Sequence, residues 1–352
     1  MQLKPINQQV VAIVGASSGI GRETAIRFAK KGAKVVVSAR SQPGLESLIS
    51  EIKSFGGDGI SVIADVADFG QVKAIADRAV EQYGRLDTWV HLSATGVIAP
   101  FDEITPEEFK RVIDVNLTGQ AYGAMAALPH LKREGRGALI HVSSMEGRRS
   151  LPLQSPYSAS KHGIEGFLDS LRLELIHEGI PISVTNVLPA TINTPYYNKI
   201  RTKIGVKPTG VPPYYQPGLV ADAILYVAEN PTRDFIVGDA GKILDFLHRI
   251  SPQLTDTILL LIGFQAQHTN EIKSEDAPDN VFEPIPNGNY DKVRGDFDRL
   301  AIPSVTDWID KNPPVKYGAI ALGLAALAIG TTVLGGAALL SAMAAETSKI
   351  TK

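Results

Sequence analysis

Val10-Val11-Ala12-Ile13-Val14-Gly15-Ala16-Ser17-Ser18-Gly19-Ile20-Gly21 is the stretch from which the fold is read. A short apolar run ends in three spaced glycines, then gives way to a helical pattern (Ala25, Ile26, Phe28, Ala29) that Gly32 closes. Strand, glycine turn and helix in that order open a dinucleotide-binding βαβ unit. Gly15 would allow the tight turn, Gly19 a close approach of backbone to pyrophosphate, and Gly21 close packing of helix on strand. The helix start adds free N–H groups and the positive end of the macrodipole, both suited to phosphate. Ser17, Ser18 and Ile20 lie in the same turn and are predicted cofactor contacts with it. The plainer alternative is a glycine-rich turn without a ligand.

Outward from that unit, a buried strand, Ala33 to Ser38, ends in Ala39-Arg40. An acidic residue at the end of this strand would take the ribose 2′-hydroxyl, whereas a basic one accepts a 2′-phosphate. Arg40 therefore favours NADP(H) over NAD(H), against the alternative of an arginine that is only solvated. Strands then follow at Ile60–Ala64, Thr88–Ser93, Ala138–Val142, Ile182–Leu188 and Phe235–Val237. Helical patterns fall between them at Leu45–Phe55, Val72–Tyr83, Pro106 to about His130 with a break near Gly119, and Leu219–Glu229. Strand and helix taking turns predicts an α/β fold, a doubly wound parallel sheet of Rossmann type covered on both faces.

Bulk properties narrow the function. A net charge of −2 over 352 residues gives no chain-wide attraction to nucleic acid. Without cysteine there are neither disulfides nor thiolate chemistry, and the seven histidines are scattered, so no metal site is expected. The start is polar and Val10–Val14 is too short for a signal-peptide core, which places the catalytic part in the cytoplasm.

Tyr157-Ser158-Ala159-Ser160-Lys161 carries the chemistry. Tyrosine and lysine four apart share a helical face, with Cβ atoms about 5–6 Å apart. Ser155 can cap and Pro156 open that helix, whose Ile164, Phe167, Leu168, Leu171 and Leu175 mark a core side. An ammonium beside the phenol would favour phenolate and let the tyrosine exchange a proton near neutral pH.

Gly15-x-x-x-Gly19-x-Gly21, Asn116, Ser144 and Tyr157-x-x-x-Lys161 together resemble the short-chain dehydrogenase/reductase family over roughly residues 8–240. The resemblance implies a seven-stranded sheet and hydride transfer between a nicotinamide and a carbonyl or alcohol carbon. It gives Ser144 a hydrogen bond to the substrate oxygen, makes Tyr157 the acid/base, and has Lys161 also hold the nicotinamide ribose. Asn116 supports a water-linked proton relay; Asp65 and Val66 lie beside the adenine, and Pro189, Ile192 and Thr194 near the nicotinamide. It also implies a homo-oligomer. Three places depart from the family pattern: Val14, the run His91-Leu92-Ser93-Ala94, and Ala190 after Pro189. His91 reads as a packed strand-end residue. The alternative function is a non-catalytic dinucleotide-sensing or scaffold protein.

The chain continues beyond that pattern. Ile243–Ile250 and Leu254–Phe264 predict two apolar helices split by Ser251-Pro252. Pro195-Tyr196-Tyr197 and Pro213-Tyr214-Tyr215 either line an apolar pocket for a small apolar carbonyl or alcohol or simply pack as loops. Residues 241–316 form an extension whose polar, Pro-rich part, 268–316, predicts a loose linker or a collar. From Tyr317 to Ala345 there is no charge over 29 residues. As a helix that run would be about 43 Å long against about 30 Å of hydrocarbon, so it predicts a single-pass C-terminal membrane anchor. A buried C-terminal helix of a soluble protein is the alternative.

Overall fold

The structure is a computed structural model that describes residues 1–312, Pro314 and Val315. Met1–Ser304 form one compact unit and Val305–Lys352 a second, whose described part holds a short helix, Val305–Asp310. The predicted span 317–345 lies outside the described residues. Among the described residues no helix is long and apolar enough to cross a membrane.

Seven strands make the sheet: β1 (Val10–Val14), β2 (Lys34–Ala39), β3 (Asp58–Ile63), β4 (Thr88–His91), β5 (Gly137–Val142), β6 (Ile182–Pro189) and β7 (Asp234–Val237). Around it lie α1 (Gly19–Lys30), α2 (Gln42–Ser54), α3 (Phe69–Tyr83), α4 (Pro106–Ile113), α5 (Gly119–Arg133), α6 (Ser155–His177) and α7 (Pro217–Val227). Two more helices, α8 (Asp239–Ile250) and α9 (Pro252–Ile258), follow the last strand. The sheet order is β7-β6-β5-β4-β1-β2-β3, and every neighbouring pair is parallel.

β1 shows why this sequence needs two covered faces. All five of its residues are buried, and successive side chains point to opposite sides. Val11 and Ile13 pack with Phe28 of α1, Leu48 of α2 and Ile224 of α7, whereas Val10, Ala12 and Val14 pack with Ile75 of α3, Leu131 of α5 and Leu168 of α6. The chain winds one way from β1 to β3 and the other way from β4 onward. That reversal opens a crevice at the carboxyl ends of β1 and β4, where α/β sheets take their ligands.

Three local details differ from, or sharpen, the sequence expectations. Ser155 does not cap α6: the helix begins one residue early with Gln154 in the capping position, and Ser155 Oγ is buried without a hydrogen-bond partner. The break near Gly119 is a wide π-type turn, Asp114–Thr118, between α4 and α5, and it buries Asn116. The Pro-rich extension is a collar. His268–Ile272 pairs antiparallel with Val206–Pro208, and residues 279–298 run back as a strap across the mouth of the crevice.

Candidate active site

The carboxyl ends of the central strands open on one cavity of about 510 Å³. At one end it is lined by Gly15, Ser17, Ser18, Gly19, Ile20 and Gly21; at the other, by the helices of the extension. Gly15 lies at φ +89°, and a Cβ there would come 2.7 Å from Ser93 N; a Cβ on Gly21 would come 2.1 Å from Gly15 O. Gly19, at φ +57°, turns its bare side toward Thr194. The glycines thus keep the loop tight against β4 and seat α1 on β1, leaving backbone rather than side chains on the groove floor. That floor fits a pyrophosphate.

Every predicted cofactor contact lines this cavity: the loop residues, Arg40, Asp65, Val66, Tyr157, Lys161, Pro189, Ile192 and Thr194. Asp65 is already engaged, because Arg111 Nη2 donates to it at 2.6 Å and Ala67 N at 3.0 Å, which together hold it below its usual carboxylate range against the cost of burial. Arg40 is engaged too: it donates to the carbonyls of Phe282 (2.6 Å) and Asn280 (2.5 Å) in the strap.

Ser144, Tyr157 and Lys161 meet in the middle of the cavity. Ser144 ends the turn after β5, where its Oγ accepts from Glu146 N at 3.1 Å. Lys161 Nζ lies 5.3 Å from the Tyr157 ring centroid and donates to Val142 O at 3.0 Å. Asn116 stands behind them and does not line the cavity. Its Oδ1 accepts from Thr95 N (2.8 Å), and its Nδ2 donates to Thr95 O (2.9 Å) and to Ser160 Oγ (3.2 Å). Ser160 Oγ in turn donates to Tyr157 O at 2.6 Å, so Asn116 braces the first turn of α6.

The proton balance corrects the expectation of a readily formed phenolate. Burial pushes the Tyr157 phenol up, the Glu146 carboxyl adds to the rise, and only a hydrogen bond from Ser144 draws it down. Burial likewise lowers Lys161 to about 7, with Glu146 and Glu165 opposing. The amine cannot act as a full fixed charge at neutral pH, because the pocket that brings it to the ring also removes its water. Near neutral pH Tyr157 keeps its proton.

Glu146 escaped the sequence reading although it stands two residues beyond Ser144. It lines the cavity, accepts from Ser158 Oγ at 2.9 Å, and is pushed up to about 8 by burial. Only the fold, which turns that residue inward, distinguishes it from a solvated loop acid. Lys199 and Asp291 were missed for the same reason, as both reach the cavity from distant segments. His91 is packed as expected: it is fully buried, stacked on His141 with centroids 6.1 Å apart, and held well below its usual value by burial. The two tyrosine pairs divide. Tyr196 and Tyr197 line the cavity, Tyr196 5.8 Å from the Tyr157 ring, while Tyr214 and Tyr215 are core residues.

This arrangement can be compared with known proteins. The family pattern described as short chain dehydrogenase matches residues 9–205, more than half of the chain. The chain belongs to the short-chain dehydrogenase family. An uncharacterized oxidoreductase of Bacillus subtilis, YxnA, is 40% identical over 270 residues, 76% of each chain. That match is longer than residues 8–240, so it reaches beyond the family's usual span. A 3-oxoacyl-[acyl-carrier-protein] reductase of Synechocystis is 30% identical over 239 residues, 68% of this chain and 96% of that one. Among solved structures, a 3-ketoacyl-ACP reductase from Sinorhizobium meliloti is 29% identical with a TM-score of 0.59, covering 67% of this chain and 99% of that one. Its short-chain dehydrogenase relatives are named oxidoreductases and dehydrogenases, so this chain is an NAD(P)-dependent oxidoreductase of CH–OH and C=O groups. The non-catalytic alternative falls.

Proposed function

We propose that the protein transfers hydride between NADP(H) and an apolar carbonyl or secondary alcohol, with Tyr157 as proton donor and acceptor. One observation carries the reading: Ser144, Tyr157 and Lys161 share a single cavity with the glycine loop of β1 and α1. The nicotinamide supplies the hydride when bound. The chain's own residues handle the oxygen. Tyr157, still protonated near neutral pH, gives its proton as negative charge develops there, and the Ser144 hydroxyl donates a second hydrogen bond to the same atom. Lys161, buried beneath the ring, supports the phenol and holds the ribose side of the cofactor. Asn116, through Ser160, keeps the Tyr157 turn in register. Pro189, Ile192 and Thr194 form the shelf opposite the glycine loop, with Asp65 and Val66 at the adenine end.

The cofactor preference rests on Arg40 and on the absence of an acid at the end of β2. The substrate class rests on what closes the far end: Leu244, Leu247, Ile258, Leu259 and Ile262 from the extension, beside Tyr196 and Tyr197. These side chains offer apolar surface and few polar partners. The membrane anchor rests on the sequence of residues 317–345 alone.

Turnover of straight-chain aldehydes and ketones with NADPH tests the reading. Each added methylene contributes about 0.8 kcal/mol when buried, so kcat/KM should rise about fourfold per carbon until the cavity is full. A preference for short, polar carbonyls would remove the apolar-substrate assignment.

A further inference from the structure

The strap of residues 279–298 touches the groove at two places built for anions. At the first, Lys292 O accepts from Gly19 N at 2.9 Å, occupying an N–H of the glycine loop. At the second, the Asp291 carboxylate accepts from Ser41 Oγ at 2.6 Å and stands 3.8 Å from Lys199 Nζ. Lys199 itself donates to Ser18 Oγ at 2.7 Å. The fit is close, since a Cβ on Gly44 would come 2.4 Å from the Asp291 carboxylate. Lys199 and Arg40 line the same end of the cavity, near enough that Arg40 adds to the lowering of Lys199 by burial while Asp291 opposes it. One cation, Lys199, and one hydroxyl, Ser41, face that carboxylate, with Ser18 bonded to Lys199 and Arg40 held beside it by the strap carbonyls of Asn280 and Phe282: a donor set suited to phosphate, with a carboxylate in it.

We infer that Asp291 and Lys292 stand in for the phosphates of the cofactor, and that Lys199, with Ser18, Ser41 and Arg40, forms the 2′-phosphate subsite from which Asp291 is displaced. This rests on the dinucleotide reading of the cavity. It adds to Arg40 a second cation, supplied from beyond β6, and an internal competitor supplied by the extension. A phosphate monoester carries about −1.5 to −2 charge and three acceptor oxygens, so it outbids the single carboxylate for Lys199 and Ser41 and the strap carbonyls for Arg40. A cofactor without that phosphate has nothing to exchange for Asp291. Discrimination between the two nicotinamide dinucleotides then comes partly from the strap.

Calorimetric titration of the full chain with adenosine 2′,5′-bisphosphate and with 5′-ADP separates the possibilities. Lys199→Met should weaken the bisphosphate about tenfold or more, the worth of one charge-assisted hydrogen bond, and leave 5′-ADP within about twofold. Asp291→Asn, which keeps the shape and removes the charge, should tighten the bisphosphate by about threefold or more with 5′-ADP again nearly unchanged. Lys199→Met weakening both ligands alike would overturn the subsite, as would Asp291→Asn weakening 5′-ADP, the result expected if Asp291 served a ribose hydroxyl. Wild type that binds 5′-ADP as tightly as the bisphosphate would remove the subsite and leave the dinucleotide site standing. Binding of neither would remove both.

Discussion

Glu146 adds to the proton inventory of the site a group that the motif does not name, displaced as far from its ordinary value as Lys161 is. An unfolded glutamate releases its proton near 4.5, whereas folded Glu146 keeps it to about 8. Between those values the folded state holds a proton that the unfolded state has lost, so this group makes stability fall as pH rises from 4.5 to about 8. Lys161 acts oppositely. Its folded value of about 7 lies below the ordinary 10.5, the unfolded state holds the extra proton across that window, and stability rises through it. Between about pH 5 and pH 7 the melting temperature of Glu146→Gln should therefore fall less with pH, or rise more, than that of wild type. Parallel curves for the two proteins would mean that Glu146 is ionised in the fold. At this scale the sequence told half the story. Tyr157 and Lys161 stood out by a helical spacing, and Ser144 only by its place in a family pattern. The balance among them was not legible, because it depends on how much water the fold leaves around each.

At the scale of elements, the strand–glycine–helix unit was the most legible feature. Each of its glycines has a steric reason that one sequence can show. Gly21 offers the sharpest test, since α1 can approach β1 only while that position lacks a Cβ; one built there would lie 2.1 Å from Gly15 O. Gly21→Ala must push the start of α1 off the strand and spoil the phosphate floor. Titration with NADP+ should show affinity reduced about tenfold or more; unchanged affinity would detach the loop from cofactor binding. The sheet and its helices followed from periodicity, and the two apolar helices after β7 appeared close to where the pattern placed them. The first turn of α6 was misread because a cap depends on which residue leaves helical geometry, and Ser155 is already inside. The strap was legible only as a polar stretch. Its attachments are backbone carbonyls and single side chains meeting partners far along the chain, some more than 200 residues away, as in Arg40 with Phe282 and Ser41 with Asp291, and no periodic pattern encodes those.

Across the first compact unit, each part of the chain contributes one wall of the same cavity. The first half of the sheet supplies the glycine floor, β5 and α6 supply the reacting groups, and the extension supplies an apolar end and a strap. Catalysis by this arrangement requires that the phenol be needed for hydride transfer but not for holding the cofactor. Tyr157→Phe removes one oxygen and leaves the ring that Lys161 and Tyr196 pack against. The deciding measurement is a single-turnover experiment on that variant, following NADPH absorbance with an apolar aldehyde, beside a fluorescence titration of NADPH. The phenol's role predicts NADPH affinity within about twofold of wild type and hydride transfer slowed about 10²–10⁴-fold, the worth of a positioned proton donor. Transfer at the wild-type rate with the cofactor bound would contradict it.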